Sequence, residues 1–324
     1  MTGTSGLRIG LDVGGTKTDA VLVDDIGVVL ARRREATGWG PDAVVQTILR
    51  VVRALTTEAG IAPGALRSIG IGMPGQVEPG TARIRHAVNL GVAHLDLRAQ
   101  VGVVLGVPVR AENDVRAAAL GAQALRARLL PSSAPASLAY LNLGTGVAAG
   151  LVTDGELWRG ANGAAGEIGH ISVDPAGPLC RCGQRGCIEA LAGGGAIAAR
   201  WGRVSALPVL DVFDAADAGD PVALALRHGL AHGVSAAVRV LILTADADTV
   251  VLGGGLTALG ERLRSDVVAA LEDSAAASAF LRSLHLADRL ELLPADSPAA
   301  ALGAALVGAS GEPERGRQEV LVRG

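Results

Sequence analysis

The sequence is poor in aromatic residues, lysine and cysteine. Phe, Trp and Tyr together make up 2% of the 324 residues while 49% are hydrophobic, so any core must be built from aliphatic side chains. A hydrophobic fraction of this size with 19% charged residues excludes a wholly disordered chain. At about 150 residues per domain, the length predicts two domains.

Long hydrophobic runs and basic runs are missing as well. No uninterrupted apolar stretch reaches the ~18 residues of a membrane span, and residues 1–6 are polar and unlike a signal peptide. The net charge is −3, and no basic run is longer than Arg32-Arg33-Arg34, so the composition lacks a nucleic-acid footprint. We therefore expect a cytoplasmic, soluble protein with neither a nucleic-acid nor a membrane partner.

Alternating strand and helix patterns predict the α/β class. Residues 7–13 and 20–23 read as a hairpin with a glycine-rich turn, and residues 68–73 and 108–111 read as buried strands. Apolar residues at helical spacing predict a helix over 41–59, and a second helix is expected from 113 to about 130. Ser297 is expected to cap a C-terminal alanine-rich helix with Pro298 in its first turn.

The opening hairpin recurs 130 residues later. Leu11-Asp12-Val13-Gly14 aligns with Leu141-Asn142-Leu143-Gly144, and residues 20–24 then align with 150–154 without a gap. Such a repeat indicates a duplicated fold with a cleft between the halves. The alternative is chance similarity between two glycine-rich hairpins.

Three glycine-rich segments follow predicted strands, and the first holds Lys17, the single lysine among 29 basic residues. Glycine lets the backbone approach an anion closely, and a lysine adds a compact positive charge. Asp12 precedes the first turn and could hold Mg²⁺ through water, or could simply cap the turn. Neither the turn at Gly14-Gly15 nor the turn at Gly144-Thr145-Gly146 has the spacing of a P-loop. The predicted nucleoside triphosphate site comprises Asp12, Gly14, Gly15, Thr16, Lys17, Gly144, Thr145, Gly146, Gly253, Gly254 and Gly255.

The three cysteines lie close together, shortly after a histidine. Cys180, Cys182 and Cys187 with His170 offer three thiolates and one imidazole, the closed tetrahedral set of a structural zinc site. The odd cysteine number excludes a disulfide framework, and the missing C-x-x-C pattern argues against redox chemistry. Free thiols are the alternative. The surrounding loop is rich in glycine and proline and would be held by the metal.

An acidic segment, Glu112-Asn113-Asp114, opens the helix predicted from residue 113. Asn and Asp side by side can grip sugar hydroxyls, and a carboxylate at hydrogen-bond distance can take a hydroxyl proton. The positive helix end would keep Asp114 ionised. The alternative is that Asn113 and Asp114 serve only as helix caps.

In this combination and order, the motifs resemble those of the ROK family of repressors and kinases. The resemblance covers residues 7 to about 306, and the cysteine motif is its most specific part. The motifs that carry it are Leu11-Asp12-Val13-Gly14-Gly15-Thr16-Lys17, Glu112-Asn113-Asp114-x-x-Ala117-Ala118, Leu143-Gly144-Thr145-Gly146, Glu167-x-Gly169-His170 and Cys180-x-Cys182-Gly183-x-x-Gly186-Cys187-x-Glu189.

The resemblance implies an actin/hexokinase-like, ribonuclease H-like duplicated fold with two α/β domains around a cleft. One domain would span residues 1–112 together with about 297–324, because the C-terminal helix returns to it, and the other would span 113–296. Family members of this kind assemble, so we expect a homodimer or homotetramer.

The resemblance also implies ATP- and Mg²⁺-dependent phosphorylation of a hexose, with glucose as the first expectation. Asp114 matches the catalytic base, and His170 would serve both zinc and sugar. The alternatives are a kinase for N-acetylmannosamine, N-acetylglucosamine, fructose or allose, or a sugar-sensing regulator without catalysis. The matching sugar-binding positions are Gly75, Asn113, Asp114, Glu167, His170 and Glu189.

Two departures from the family pattern stand out. The second phosphate turn continues as Val147-Ala148-Ala149-Gly150, with less glycine than usual, and the two added methyl groups could crowd a phosphate or lie against the sheet. ROK repressors carry a DNA-binding module before the first hairpin. Six residues precede Leu7 here, so we expect no such module.

Overall fold

A computed structural model describes residues 6–78, 81–130 and 136–310 of the chain. Two five-stranded sheets and one three-stranded sheet form its framework. The first sheet has the order β3-β2-β1-β4-β8 and consists of β1 (Arg8–Val13), β2 (Lys17–Val23), β3 (Val29–Ala36), β4 (Ser68–Met73) and β8 (Val109–Asn113). The small sheet consists of β5 (Gln76–Val77), β6 (Arg83–Ala87) and β7 (Val92–Asp96).

The second five-stranded sheet has the order β11-β10-β9-β12-β13. Its strands are β9 (Ser137–Leu143), β10 (Val147–Thr153), β11 (Glu156–Leu157), β12 (Thr249–Gly253) and β13 (Leu290–Leu292). The helices are α1 (Pro41–Glu58), α2 (Val103–Leu105), α3 (Asp114–Leu129), α4 (Ile188–Ala192), α5 (Gly194–Trp201), α6 (Pro208–Asp217), α7 (Pro221–Ala245), α8 (Glu261–Ala275), α9 (Ala279–Ser283) and α10 (Ala299–Ala309).

The two large sheets repeat one arrangement, which confirms the predicted duplication. β1 pairs antiparallel with β2 and parallel with β4, and β9 pairs antiparallel with β10 and parallel with β12. One difference separates the hairpins. The last pair of the first is Val13 with Thr18, whereas that of the second is Leu143 with Val147, so the second turn is one residue shorter.

The C-terminal helix α10 lies against β1, β4 and α3. The approach is so close that only glycine fits at the contacts: a Cβ on Gly303 would lie 1.6 Å from the Ala117 carbonyl oxygen, and one on Gly70 would lie 1.7 Å from the Ala304 carbonyl oxygen. α10 therefore packs directly on the first sheet. The domain boundaries stay a prediction, and residues 1–5 and 311–324 of the predicted first domain lie outside the described residues.

Helix starts agree with the sequence in one case and differ in another. Asn113 is the N-cap of α3, and its side-chain oxygen accepts hydrogen bonds from the backbone N–H groups of Val115 and Arg116. The prediction that Ser297 caps α10 is wrong. The helix begins one residue later than that cap requires, with Pro298 at the N-cap position, and Ser297 instead donates its backbone N–H to Pro294.

Helix α7 is long and apolar enough to cross a membrane by length and composition, with a mean hydropathy of 1.2 in its most apolar window. In the structure 56% of that window is buried. Its inner face, including Leu230, Val234 and Leu241, packs into the aliphatic core of the second sheet. The helix therefore has the environment of a core helix in a folded domain.

Candidate active site

A cavity of about 220 Å³ lies where the two large sheets approach each other. The first sheet contributes Asp12 from the end of β1 and Lys17 from the start of β2, and Asp114 lies at the first position of α3. The second half contributes Asn142 from β9 and the glycines that follow β12. The predicted site residues that share this cavity are Asp12, Lys17, Asp114, Gly254 and Gly255.

The cavity is acidic, and its carboxyl groups disfavour one another's ionisation. Burial, together with the nearby carboxylates of Asp114 and Asp19, raises the pKa of Asp12 to about 7, while Lys17 opposes the shift. Burial also raises the pKa of Asp114, and Glu167 adds to that shift. A divalent cation placed among these groups would favour their ionised forms, so the charge pattern suits Mg²⁺.

The first predicted phosphate turn is tight and packs closely on its neighbours. The backbone N–H of Gly14 donates to the Lys17 carbonyl at 3.0 Å and closes the turn. A Cβ on Gly15 would lie 2.8 Å from the carbonyl oxygen of Asn89, so a side chain has no room there. The Thr16 carbonyl accepts a hydrogen bond from the Thr37 backbone. The turn is therefore fixed by backbone contacts, and Lys17 at its end lines the cavity.

The second predicted phosphate turn is tied to the start of α5. The backbone N–H groups of Gly194 and Gly195 donate to the carbonyls of Gly144 and Thr145 at 2.9 Å each. After the turn, Ala149 lies in the aliphatic core, and Ala148 packs against the cluster that includes Val115. The two methyl groups noted in the sequence therefore lie against the two faces of the sheet.

The predicted sugar residues form a second group that adjoins the cavity. The Asn113 side-chain amide lies 3.5 Å from the carbonyl of Gly75, whose φ of +99° favours glycine. Glu167 is close enough to Asp114 to raise its pKa. The Glu189 carboxylate accepts a hydrogen bond from the backbone of Val147, at the second phosphate turn. Asp114 thus lies where the two groups of predicted residues meet.

His170, Cys180, Cys182 and Cys187 come together as predicted. Their four candidate ligand atoms lie within 4.8 Å of one another. The Cys180 Sγ lies 3.8 Å from His170 Nδ1, and the Cys182 and Cys187 sulfurs are 3.6 Å apart. Tetrahedral zinc with bonds of about 2.3 Å would hold thiolate sulfurs about 3.8 Å apart, so the donor set and spacing fit zinc. Hydrogen bonds from the Gln184 backbone and side chain lower the pKa of the Cys182 thiol, which favours the thiolate.

Sequence reasoning missed several side chains that line the cavity, among them Tyr140, Asn142 and Arg34. Tyr140 is buried, and a Cβ on Gly253 would lie 2.2 Å from its ring, so the glycine makes room for the tyrosine. Asn142 aligns with Asp12 in the sequence repeat, so that alignment could have identified Asn142 as a site residue. Arg34 pairs with Asp19 at 3.0 Å, a contact between neighbouring strands that no motif marks.

The protein has two α/β halves with the same strand arrangement around an acidic cleft, and each half has a glycine-rich turn. These features define a protein of the actin/hexokinase-like fold. Residues 8–308 match the ROK family, and the chain belongs to that family. It is a ROK sugar kinase. The resemblance and the fold predicted from the sequence are thereby confirmed.

The relatives divide between two activities. The chain is 31% identical over 274 residues to a glucokinase of Halalkalibacterium halodurans, covering 79% of this chain and 82% of the relative. It is 33% identical over 252 residues to an N-acetylmannosamine kinase of Citrobacter koseri, covering 76% and 83%. A ROK family glucokinase from Streptomyces griseus, in complex with glucose and AMPPNP, has a TM-score of 0.74 at 29% identity, covering 94% of this chain and 100% of that structure.

Proposed function

We propose that the protein is an ATP-dependent hexose kinase that converts D-glucose and ATP to glucose 6-phosphate and ADP. The observation that carries the proposal is the shared cavity, which Asp12, Lys17 and Asp114 line together with Gly254 and Gly255, the glycines that follow β12. Support comes from the Streptomyces griseus relative, whose structure was solved with glucose and an ATP analogue.

In the proposed reaction, a hexose hydroxyl oxygen attacks the γ-phosphorus of ATP. The bond from that phosphorus to the β–γ bridging oxygen breaks, and Asp114 accepts the hydroxyl proton. The transition state of phosphoryl transfer is loose, so positioning and charge neutralisation outweigh base strength. Lys17 and the turn amides at Gly144 to Gly146 face the phosphates in this scheme. Mg²⁺, held near Asp12, neutralises phosphate charge when bound.

The substrates divide between the two groups of residues. ATP phosphates lie on Gly14, Gly15, Thr16 and the second turn at Thr145, and adenosine lies near Gly253, Gly254 and Gly255. The hexose hydroxyls are held by Gly75, Asn113, Asp114, Glu167, His170 and Glu189. Two contacts support this division: Asn113 with Gly75 joins two hexose residues, and Glu189 with Val147 joins a hexose residue to the end of the second phosphate turn.

Zinc has a structural role in the proposal. His170, Cys180, Cys182 and Cys187 supply four ligands, which leaves no position open for a metal-bound water. Zinc at this site holds the loop, and with it Glu167, His170 and Glu189. We further propose that the protein is cytoplasmic and forms a homodimer or homotetramer.

The main rival acceptor is N-acetylmannosamine, because the relatives with that activity are as similar as the glucokinase. N-acetylglucosamine, fructose and allose are further candidates. A non-catalytic sugar-sensing regulator is disfavoured, since Lys17 and Asp114 are both present in the cavity and a sugar binder would not need Lys17.

A coupled ADP-release assay over glucose, N-acetylmannosamine, N-acetylglucosamine, fructose and allose tests the proposal. The proposal expects the highest kcat/KM with glucose. A higher value with N-acetylmannosamine would transfer the assignment to that acceptor. Hexose binding without ADP release for every sugar would favour the regulator.

A further inference from the structure

A charged cluster beside the cavity lies outside the predicted site. The Glu112 carboxylate is 4% exposed as a residue and binds two arginines through different oxygens. Its Oε2 accepts from Arg159 Nε at 2.7 Å, and its Oε1 accepts from Arg116 NH1 at 3.2 Å. The same Oε1 accepts the backbone N–H of Asn113 at 2.9 Å. This buried carboxylate is therefore well supplied with donors.

The three members of the cluster come from different parts of the fold. Glu112 lies on β8, two residues before Asp114, and Arg116 lies on the first turn of α3. Arg159 follows β11 and is the second residue of the segment 158–167, which ends at Glu167. Arg116 NH2 also donates a short hydrogen bond to the carbonyl of Gly163 in the same segment. We call residues 158–167 the sugar segment.

We propose that Arg159 is a positioning residue, which acts through Glu112 to hold the sugar segment against the end of β8, directly before Asp114. The proposal rests on the proposed function, since it assigns Glu167 to the hexose and Asp114 to the reaction. The proposal explains why the buried Glu112 carboxylate on β8 binds Arg159, a half-exposed arginine 47 positions later in the sequence.

The electrostatics agree with that role. Two guanidinium groups on one carboxylate leave one net positive charge beside the acidic cavity. Arg116 lowers the pKa of Asp114 and so opposes the effect of burial and of Glu167. The Nε–H of a planar guanidinium points in a fixed direction, whereas the donors of a lysine ammonium rotate, so Arg159 fixes the direction of its contact with Glu112 as well as its charge. Arg159 thus sets the distance between the proposed hexose ligands and the proposed base.

The kinetic test compares Arg159→Met, Arg159→Lys and Glu112→Gln with the wild type. Misplacing reacting groups by about 1 Å can cost about 100-fold in rate. We expect Arg159→Met to raise the hexose KM about tenfold and to lower kcat about ten- to 100-fold, with the MgATP KM unchanged. Arg159→Lys should recover only part of the loss. The double variant with Glu112→Gln should be no worse than the worse single variant, because the two changes share the contact between Arg159 and Glu112.

Arg126→Met is the matched control. Arg126 lies on α3, like Arg116, and binds the Glu291 carboxylate through Nε at 3.0 Å and NH2 at 2.9 Å. Neither Arg126 nor Glu291 lines the cavity. It should lower thermal stability to a similar degree and leave kcat and both KM values unchanged. If Arg159→Met behaves like Arg126→Met, the cluster has only a structural role and the proposal is overturned.

Amide hydrogen exchange on the substrate-free protein gives a readout that does not depend on the reaction. Arg159→Met should speed exchange in the sugar segment, including the Ala165 N–H that donates to the Arg159 carbonyl, and at the start of α3. Arg126→Met should leave both regions unchanged. Wild-type protein without turnover on any hexose would overturn the proposed function alone. Unchanged exchange in Arg159→Met would overturn the role of Arg159 even in an active kinase.

Discussion

Glu189 and Val147 are joined by a hydrogen bond: the Glu189 Oε2 accepts the backbone N–H of Val147 at 3.0 Å. A Cβ on Gly146 would lie 2.5 Å from the same oxygen, so the carboxylate fits only beside a glycine turn. Glu189 follows the last cysteine of the zinc cluster by two residues. The proposed zinc loop, hexose site and second phosphate turn are therefore mechanically connected through one side chain.

Loss of zinc is predicted to remove hexose affinity before it removes nucleotide affinity. Cys182 is exposed, so Cys182→Ala deletes a ligand without leaving a core cavity. Structural zinc in small sites contributes on the order of 10 kcal/mol of binding free energy, but this loop belongs to a large domain and should loosen alone. Calorimetric titration with glucose and with an ATP analogue measures the two affinities separately.

Metal analysis provides the companion measurement. The purified wild type should contain about one zinc per chain, as four ligands at one site require. Fully active protein without zinc, or full hexose affinity in Cys182→Ala, would show that the metal does not hold the hexose residues.

Lys17→Arg is predicted to impair the use of MgATP, although the other 28 of the 29 Lys and Arg residues in the chain are arginine. The guanidinium is longer and planar, and the turn at Gly14 and Gly15 packs against Asn89 with little space. We expect the MgATP KM to rise about tenfold, because one charge-assisted hydrogen bond is lost. The hexose KM should stay unchanged. Steady-state kinetics with each substrate varied in turn check this. A variant with wild-type values would make the single lysine a coincidence.

Gly303→Ala is predicted to destabilise the crossing of α3 and α10. The new methyl carbon would lie 1.6 Å from the Ala117 carbonyl oxygen, which forces the two backbones apart. Overpacking of this kind costs about 1–3 kcal/mol in the free energy of unfolding. Gly229→Ala in α7 is the matched control, because its Cβ meets no atom within 4 Å and should gain up to about 1 kcal/mol. Urea unfolding curves of both variants measure the difference, and equal stabilities would contradict the close helix crossing.

The pH dependence of turnover should report the buried position of Asp114. Burial and Glu167 raise its pKa above the ordinary value of 3.8, with Arg116 in opposition. The base acts only when ionised, so hexose kcat/KM should fall as the pH drops through that raised pKa. Measurements from about pH 4 to about pH 9 at saturating MgATP should show this acidic limb. A flat profile down to the ordinary carboxyl range would mean that Asp114 does not set the rate.

The framework of this fold is readable from the sequence because its signals are local. The strand Ser68–Met73 has the predicted bounds, α1 ends one residue before its prediction, and β10 follows β2 by the predicted 130 positions. Glycine turns, strand periodicity and the cysteine cluster each occupy a few consecutive residues. The one-residue difference between the two hairpins was not readable, since turn tightness depends on which amides pair.

Other parts of the site depend on contacts between distant residues. Tyr140 reaches the cavity only because β9 and β12 pair so that Gly253 lies beside its ring. The contact of Glu112 with Arg159 joins residues 47 positions apart, and neither residue belongs to a nucleotide or zinc motif. Pairings of this kind follow from the assembled fold, so periodicity and motif spacing alone do not reveal them.

The central claim is that Asp114 is the base of a hexose kinase, and Asp114→Asn tests it most directly. The amide keeps the shape of the carboxylate and can still accept the Val115 N–H, but it cannot take a proton. Measured by ADP release with glucose and by glucose titration, kcat should fall about 10²- to 10⁴-fold while the glucose Kd changes little. A near-normal kcat in Asp114→Asn would contradict the account and leave Asp114 as the first residue of a helix and nothing more.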